Sequence, residues 1–369
     1  MLHRTKKTND LSKDMWIGVG GHLKKGESPD ECLLREVKEE TGLTLTSYQL
    51  RGIVTFNYSE NDYNPNNENN NETDTNSRNN KSSINHNENG NGEKKNNIWN
   101  STEYNRKDKY TEYMFLYTAD EFEGEIKECD EGELEFIKKS ELHDLYFWSG
   151  DEIFLKLIRE NYPVFDLKLT YVKKTLKSAI LDGNNLELFD VLDENYHPTG
   201  IVRERTIVHE TGTWHRTSHV WIFRRKEDGF DILLQKRAKN KDSFPECYDI
   251  SSAGHIPAGS DYTESALREL KEELGITAKE EDLILIGNYN TECDSEFYGK
   301  KFSNREHSNI YVLDGSDLSD EDFKLQSEEV EEVIWVDYDS TRERLTDGTI
   351  KNCIIMEEWD MLTKIDEII

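Results

Sequence analysis

Two stretches of this 369-residue chain set three glutamates and an arginine at a spacing that one helix face would gather. In Arg35-Glu36-Val37-Lys38-Glu39-Glu40 the acids stand at i, i+3 and i+4, which brings them to one side of a helix. Arg268-Glu269-Leu270-Lys271-Glu272-Glu273 repeats the arrangement. Like charges on one stripe repel, and an acidic stripe is ordinarily a solvated face. Here Gly20-Gly21 forms a turn just before the helix, Cys32, Leu33 and Val37 give it an apolar face, and Gly42 stops it. Crowded oxygen ligands of this kind suit Mg²⁺, with Mn²⁺ the alternative, when substrate phosphates complete an octahedron. Arg35 and Arg268 are placed to fix the carboxylates through bidentate hydrogen bonds.

The longer spacing is more specific. Gly21, five residues, Glu27, seven residues and Arg35 are matched by Gly254, five residues, Ser260, seven residues and Arg268. This is the pattern of the Nudix box, and the chain resembles two fused Nudix hydrolases. The first copy carries every defining residue; the second has Ser260 in place of the glutamate, with Asp261 beside it. The resemblance implies an α/β protein of two tandem Nudix folds, each an α/β/α sandwich around a mixed sheet. It further implies Mg²⁺-dependent hydrolysis of a nucleoside diphosphate linked to another group. Glu36 would hold or deprotonate a water while Glu39 and Glu40 bind metal, and Glu269, Glu272 and Glu273 would take these roles in the second half. Which of the three is the base stays open. A bound ion would neutralise diphosphate charge and acidify the water, and a carboxylate would take its proton.

The first half resembles the 8-oxo-dGTP diphosphatase (MutT) branch through Met15 to Gly21, Phe122-Glu123-Gly124, Glu128-Cys129-Asp130-Glu131 and Phe147-Trp148-Ser149-Gly150-Asp151. That resemblance brings Glu131 to the metal, Gly20 and Gly21 to the substrate, and Trp148 and Asp151 to a purine, with an ordinary core aromatic the alternative for Trp148. Ile17 stands where some relatives carry an Asn, and the strand that usually opens the fold is missing. The second half resembles the isopentenyl-diphosphate-isomerase-like branch through Phe189 to Asp193, Thr213 to Val220, Leu234 to Arg237 and Asp249 to His255. There His215, Arg216 and Lys236 are candidates for phosphate, with a packed or solvent-facing group the equal alternative for each, while His219, in an apolar run, reads as a packed core group. The isomerase needs a cysteine beside the box turn, where this chain has Ser251-Ser252-Ala253. Hydrolysis is therefore preferred in the second half, with isomerase activity or a non-catalytic nucleotide-binding module as alternatives. Glu328-Glu329 offers either a late metal ligand or a solvated loop.

The elements that would position these residues occur twice: strand, Gly-rich turn, acidic helix, further strands. A seam near Gly183 predicts domains at 1–183 and 184–369. From Asn61 to Asn100, 17 of 40 residues are Asn, so an insertion at about 59–108 is expected to be disordered. Charge excludes other partners. With 46 Lys+Arg against 76 Asp+Glu the net charge is −30, which repels nucleic-acid polymers and anionic membranes and leaves small metal-bridged phosphates as substrates. No apolar run reaches the ~18 residues of a membrane helix, Met1 to Asp14 is polar, and five scattered cysteines form no CxxC pair. These features predict a cytoplasmic protein.

Overall fold

The computed structural model describes residues 1–6, 12–59, 110–241, 243–297 and 299–368; the Asn-rich insertion lies outside them. The chain divides into two compact units, one of 1–147 with 163–177, the other of 148–162 with 178–369. Both mix helices with mixed sheets, as the spacing predicts.

In the first unit β1 (Leu2–His3) lies between β2 (Trp16–Ile17) and β5 (Glu133–Leu134), antiparallel to both. The glutamate-bearing helix α1 (Pro29–Thr41) follows β2. Its start is set by Ser28, which accepts from Glu31 N–H while the Glu31 side chain accepts from Ser28 N–H, and by Pro29 in the first turn. Gly42 ends it at φ 80°, the left-handed conformation that favours glycine. Long strands β3 (Thr44–Ser59) and β4 (Tyr110–Glu123) pair antiparallel, and β6 (Phe165–Val172) runs parallel to β3. Among the described residues β4 ends its sheet. Helix α2 (Ser149–Arg159) belongs to the second unit.

The chain passes into the second unit along β7 (Thr175–Leu181) and turns through β8 (Asn184–Asn185) into the hairpin of β9 (Leu188–Leu192) and β10 (Pro198–Glu204). Short helix α3 (Arg205–Thr211) leads to β11 (His215–Arg225), the centre of a seven-stranded sheet. β12 (Phe230–Arg237) and β14 (Ser252–His255) pair antiparallel with β11, and β13 (Tyr248–Asp249) pairs with β12. The second acidic helix, α4 (Tyr262–Leu274), then precedes the β15 (Leu283–Phe297) and β16 (Lys300–Asp314) hairpin. β16 runs parallel to β11, and β17 (Val330–Asp337) returns to β12. Alternation along β11 sorts the core onto two faces. Val220 and Ile222 pack with Ala266, Leu270 and Leu274 of α4. Trp221 and Phe223 pack with Leu345 of α5 (Tyr338–Thr346), Trp359 of α6 (Met356–Met361), and Leu362 and Ile365 beyond it. Helices thus cover both faces of the mixed sheet. β11 fills the slot beside β16, whereas among the described residues no strand stands in the corresponding place beside β4.

Candidate active site and metal centre

In the first unit Gly21 closes the turn directly over Glu36: a Cβ there would lie 2.3 Å from the carboxylate. Arg35 ties the helix to the turn. Its guanidinium bonds both oxygens of Glu27 at 2.6 and 2.8 Å, Glu36 at 2.5 Å, Glu39 at 3.2 Å and the His22 carbonyl at 3.2 Å. Arg35 holds Glu27 well down, to about 2. Glu40 differs: one of its oxygens is buried with no hydrogen-bond partner. Burial, then the charge of Glu131, push it up to about 7, even though Gly20 N–H donates to it. A divalent cation would relieve both. Glu40, Glu36, Glu39 and Glu131 offer hard oxygen donors of the kind Mg²⁺ accepts, so the chemistry of these residues fits the ion.

The second unit reproduces this chemistry. A Cβ on Gly254 would lie 2.2 Å from Glu269, and Arg268 bonds Glu269 at 2.8 Å, Glu272 at 2.9 Å and the His255 carbonyl at 3.4 Å. Burial raises Glu269 to about 7 against the pull of Arg268. Burial and the Glu269 charge raise Glu273 to about 8, although Ser252 donates to it at 2.8 Å. The departure at Ser260 is local. Asp261 does not replace the missing glutamate; its carboxylate caps α4 by accepting from Glu264 N–H at 2.8 Å, so Arg268 lacks the clamp that Glu27 gives Arg35.

A second donor cluster stands beside this box. His209 of α3, His215 of β11, His255 of β14 and Glu306 of β16 bring one ligand atom each to within 4.8 Å of one another. Glu306 lies 3.8 Å from His215 Nε2 and 3.5 Å from His255 Nε2. The Nε2 atoms of all three imidazoles are buried without hydrogen-bond partners. Nδ1 of His215 is 2.9 Å from the Thr213 carbonyl; donating there leaves the Nε2 lone pair facing the cluster. Burial, and then the neighbouring imidazoles, lower His209 to about 2 and His215 to about 4, so both are neutral at pH 7. Three imidazoles and a carboxylate offer an N₃O donor set suited to Zn²⁺ or a similar transition metal.

His215, a candidate for phosphate, thus faces this cluster instead. His209, His255 and Glu306 carry no contiguous motif. Their signal lies in sheet register, with His215 opposite Glu306 and Thr217 opposite His255. Arg216 pairs with Asp190 at 2.6 Å and lies over the Tyr262 ring. Lys236 pairs with Glu331 at 3.3 Å and Glu332 at 3.4 Å. Trp148 precedes α2 and its carbonyl accepts from Asp151 N–H at 2.8 Å, within the second unit. Burial and Glu152 raise Asp151 to about 8.

Comparison with known proteins agrees with this duplicated geometry. The family description "NUDIX domain" matches residues 1–89 and 213–354. Nudix hydrolase 3 of Arabidopsis thaliana is 41% identical over 161 residues, 43% of this chain and 20% of that protein, so the chain spans about a fifth of this relative. An uncharacterised Nudix hydrolase of Clostridium acetobutylicum is 35% identical over 186 residues, 50% of this chain and 87% of that protein. A solved Deinococcus radiodurans structure is 17% identical, with a TM-score of 0.35 over 45% of this chain and 93% of its own. The chain belongs to the NUDIX family, with the family's domain present twice.

Proposed function

We propose that the chain is a Mg²⁺-dependent diphosphatase with one catalytic carboxylate site in each of two domains, 1–183 and 184–369. The observation that carries this reading is the repeated set of glycine, arginine and buried glutamate: Gly21, Arg35 and Glu40, and Gly254, Arg268 and Glu273. When bound, the metal supplies charge neutralisation of the diphosphate and an acidified water. Glu39, Glu40 and Glu131 hold it in the first domain, with Glu272 and Glu273 in the second. Glu36 and Glu269, fixed beneath the turn glycines and hydrogen-bonded to Arg35 and Arg268, orient the attacking water or take its proton. In the second domain the imidazole cluster adds a separate, softer metal centre, whose His255 directly follows the box turn.

For the first domain the substrate class is a purine nucleoside triphosphate such as 8-oxo-dGTP, split to monophosphate and diphosphate; this rests on the MutT-like motifs. In the second domain Ser251 Oγ–H donates to the Leu233 carbonyl at 2.6 Å and Ser252 to Glu273, so the place of the isomerase cysteine is taken by bonded serines, which favours hydrolysis. The purified chain with Mg²⁺ should release diphosphate from 8-oxo-dGTP faster than from dGTP; equal slow rates would remove the oxidised-purine assignment. Glu39→Gln/Glu40→Gln and Glu272→Gln/Glu273→Gln should each abolish a separable part of the activity over a substrate panel. Full activity in both double variants would sink the metal-carboxylate reading.

A further inference from the structure

Each unit places a basic side chain on the carboxylate that faces its box helix from a later loop. In the first unit the Arg4 guanidinium lies 2.5 Å from Glu131; in the second, Lys241 Nζ is bonded to Glu329. The late loops dock alike in the two units, while the cations approach from opposite sides of the matching backbone bond, Arg4 two residues before Lys6 and Lys241 three residues after Ala238. The late loop docks on the end of the box helix, through Lys127 N–H to the Thr41 carbonyl at 2.9 Å in one unit and Lys324 N–H to the Leu274 carbonyl at 2.8 Å in the other. The glutamate's own carbonyl then accepts from the segment that carries the cation: Glu131 from Lys6 N–H at 3.3 Å, Glu329 from Ala238 N–H at 2.9 Å. Gly132 permits the first of these approaches, because a Cβ there would lie 1.9 Å from the His3 carbonyl oxygen. Both pairs are partly buried, with side-chain exposures of 16% and 26% for Arg4 and Glu131, and 19% and 35% for Lys241 and Glu329. Solvent therefore screens them less than surface pairs.

We propose that Arg4 and Lys241 are resident counter-cations of the two carboxylate sites, holding Glu131 and Glu329 and competing with the divalent ion for them. This rests on the reading of the box carboxylates as Mg²⁺ sites. Glu131 and Glu329 contribute to the charge felt at Glu40 and Glu273, and Arg4 and Lys241 offset it, so each cation belongs to the electrostatics of its box. An ion entering either site must break the resident pair and settle beside a displaced positive charge, both of which weaken its binding. Each cation thereby sets the Mg²⁺ concentration at which its domain becomes competent. Glu329, which the sequence left between ligand and solvated loop, is assigned to the late ligand position that Glu131 occupies in the first half.

Calorimetric Mg²⁺ titration of the full chain tests this, because Mg²⁺ takes oxygen sites and not the imidazole centre. Arg4→Met and Lys241→Met keep side-chain length without charge, and each should tighten Mg²⁺ at one of two sites by about tenfold, the order expected when a unit charge a few ångströms away is removed. Arg4→Lys and Lys241→Arg should keep the wild-type affinities. Should a methionine variant fail to fold, the glutamine variant at the same position serves in its place. Unchanged or weaker Mg²⁺ binding in folded charge-removing variants overturns the proposal while leaving the carboxylate sites standing. Absence of Mg²⁺ binding in the wild-type chain overturns both.

Discussion

Gly254 lies against Glu269 so closely that one added carbon would stand 2.2 Å from the carboxylate, and Gly21 stands to Glu36 in the same way at 2.3 Å. Each glycine is thus a spacer that lets the first glutamate of the box fold beneath the turn, where its arginine reaches it. The atoms a Cβ would meet are the far end of a flexible side chain, so the chain can accept alanine by moving the glutamate aside. Gly21→Ala and Gly254→Ala should therefore leave thermal stability nearly unchanged. Each should lower the activity of its own domain by about 100-fold, the order that a 1 Å misplacement of a reacting group costs. Steady-state kinetics beside a melting curve checks this, and retained activity would show that these glutamates need no fixed position.

Glu273 is expected to trade stability for function. Its folded pKa of about 8 exceeds the ordinary 4.5, so the protonated form favours folding, and that contribution is lost as pH rises from about 4.5 through 8. Metal-free chain should accordingly melt lower at pH 8 than at pH 5.5 on account of this group. Glu273→Gln keeps the shape without the charge; it should raise the metal-free melting temperature at pH 8 and abolish Mg²⁺-dependent turnover in the second domain. Melts in EDTA and in Mg²⁺ at the two pH values provide the measurement, and a lower metal-free melting temperature in the variant would contradict the argument.

The box helices were legible because helical spacing alone gathers Glu36, Glu39 and Glu40, and because Gly42 marks the end of α1. The mixed α/β architecture followed from strands alternating around those helices. The imidazole centre was not legible. Its ligands come from a helix and three strands, and they meet only through the parallel register of β11 with β16 and the antiparallel register of β11 with β14. Single-residue reasoning left His215 between phosphate and a packed group because nothing local shows that Glu306 lies opposite it. The grouping of Trp148 and Asp151 with the second unit was hidden likewise, since it depends on long-range contacts such as the 2.9 Å pair of Glu152 with Arg203.

The imidazole centre should bind one equivalent of Zn²⁺ or a similar ion, read as metal content by mass spectrometry after desalting. His215→Ala should lose that equivalent and leave Mg²⁺ binding at the boxes intact. In metal-free chain His209 and His215 have folded values near 2 and 4 against an ordinary 6.5, so the unfolded state takes up protons first and stability falls as pH drops below about 6.5. Zn²⁺ at 100 times its dissociation constant would restore about 2.7 kcal/mol. An acid limb unaffected both by Zn²⁺ and by His215→Ala would show that these imidazoles do not form a centre.

His219 carries the opposite pH signature. Burial alone would lower it, but the charge and hydrogen bond of Glu358 override burial and hold it up at about 9. Glu358 is 2% exposed, sits 3.0 Å from His219 Nδ1, and also accepts from Trp221 Nε1 at 2.7 Å. One carboxylate of α6 thus satisfies two side chains of β11, tying the C-terminal helix to the central strand. A histidine raised from 6.5 contributes stability that is complete below about pH 6.5 and lost as pH rises through about 9. Glu358→Gln leaves a buried imidazole without its counter-charge and should cost about 3–5 kcal/mol at neutral pH. Urea midpoints at pH 7 and pH 9.5 separate the charge effect from simple loss of packing. Wild-type stability should fall between them, whereas the variant, whose His219 is already neutral at pH 7, should show a smaller fall, confined to other groups such as Glu273. A variant that keeps the wild-type alkaline slope would show that the pair is not ionised in the folded chain.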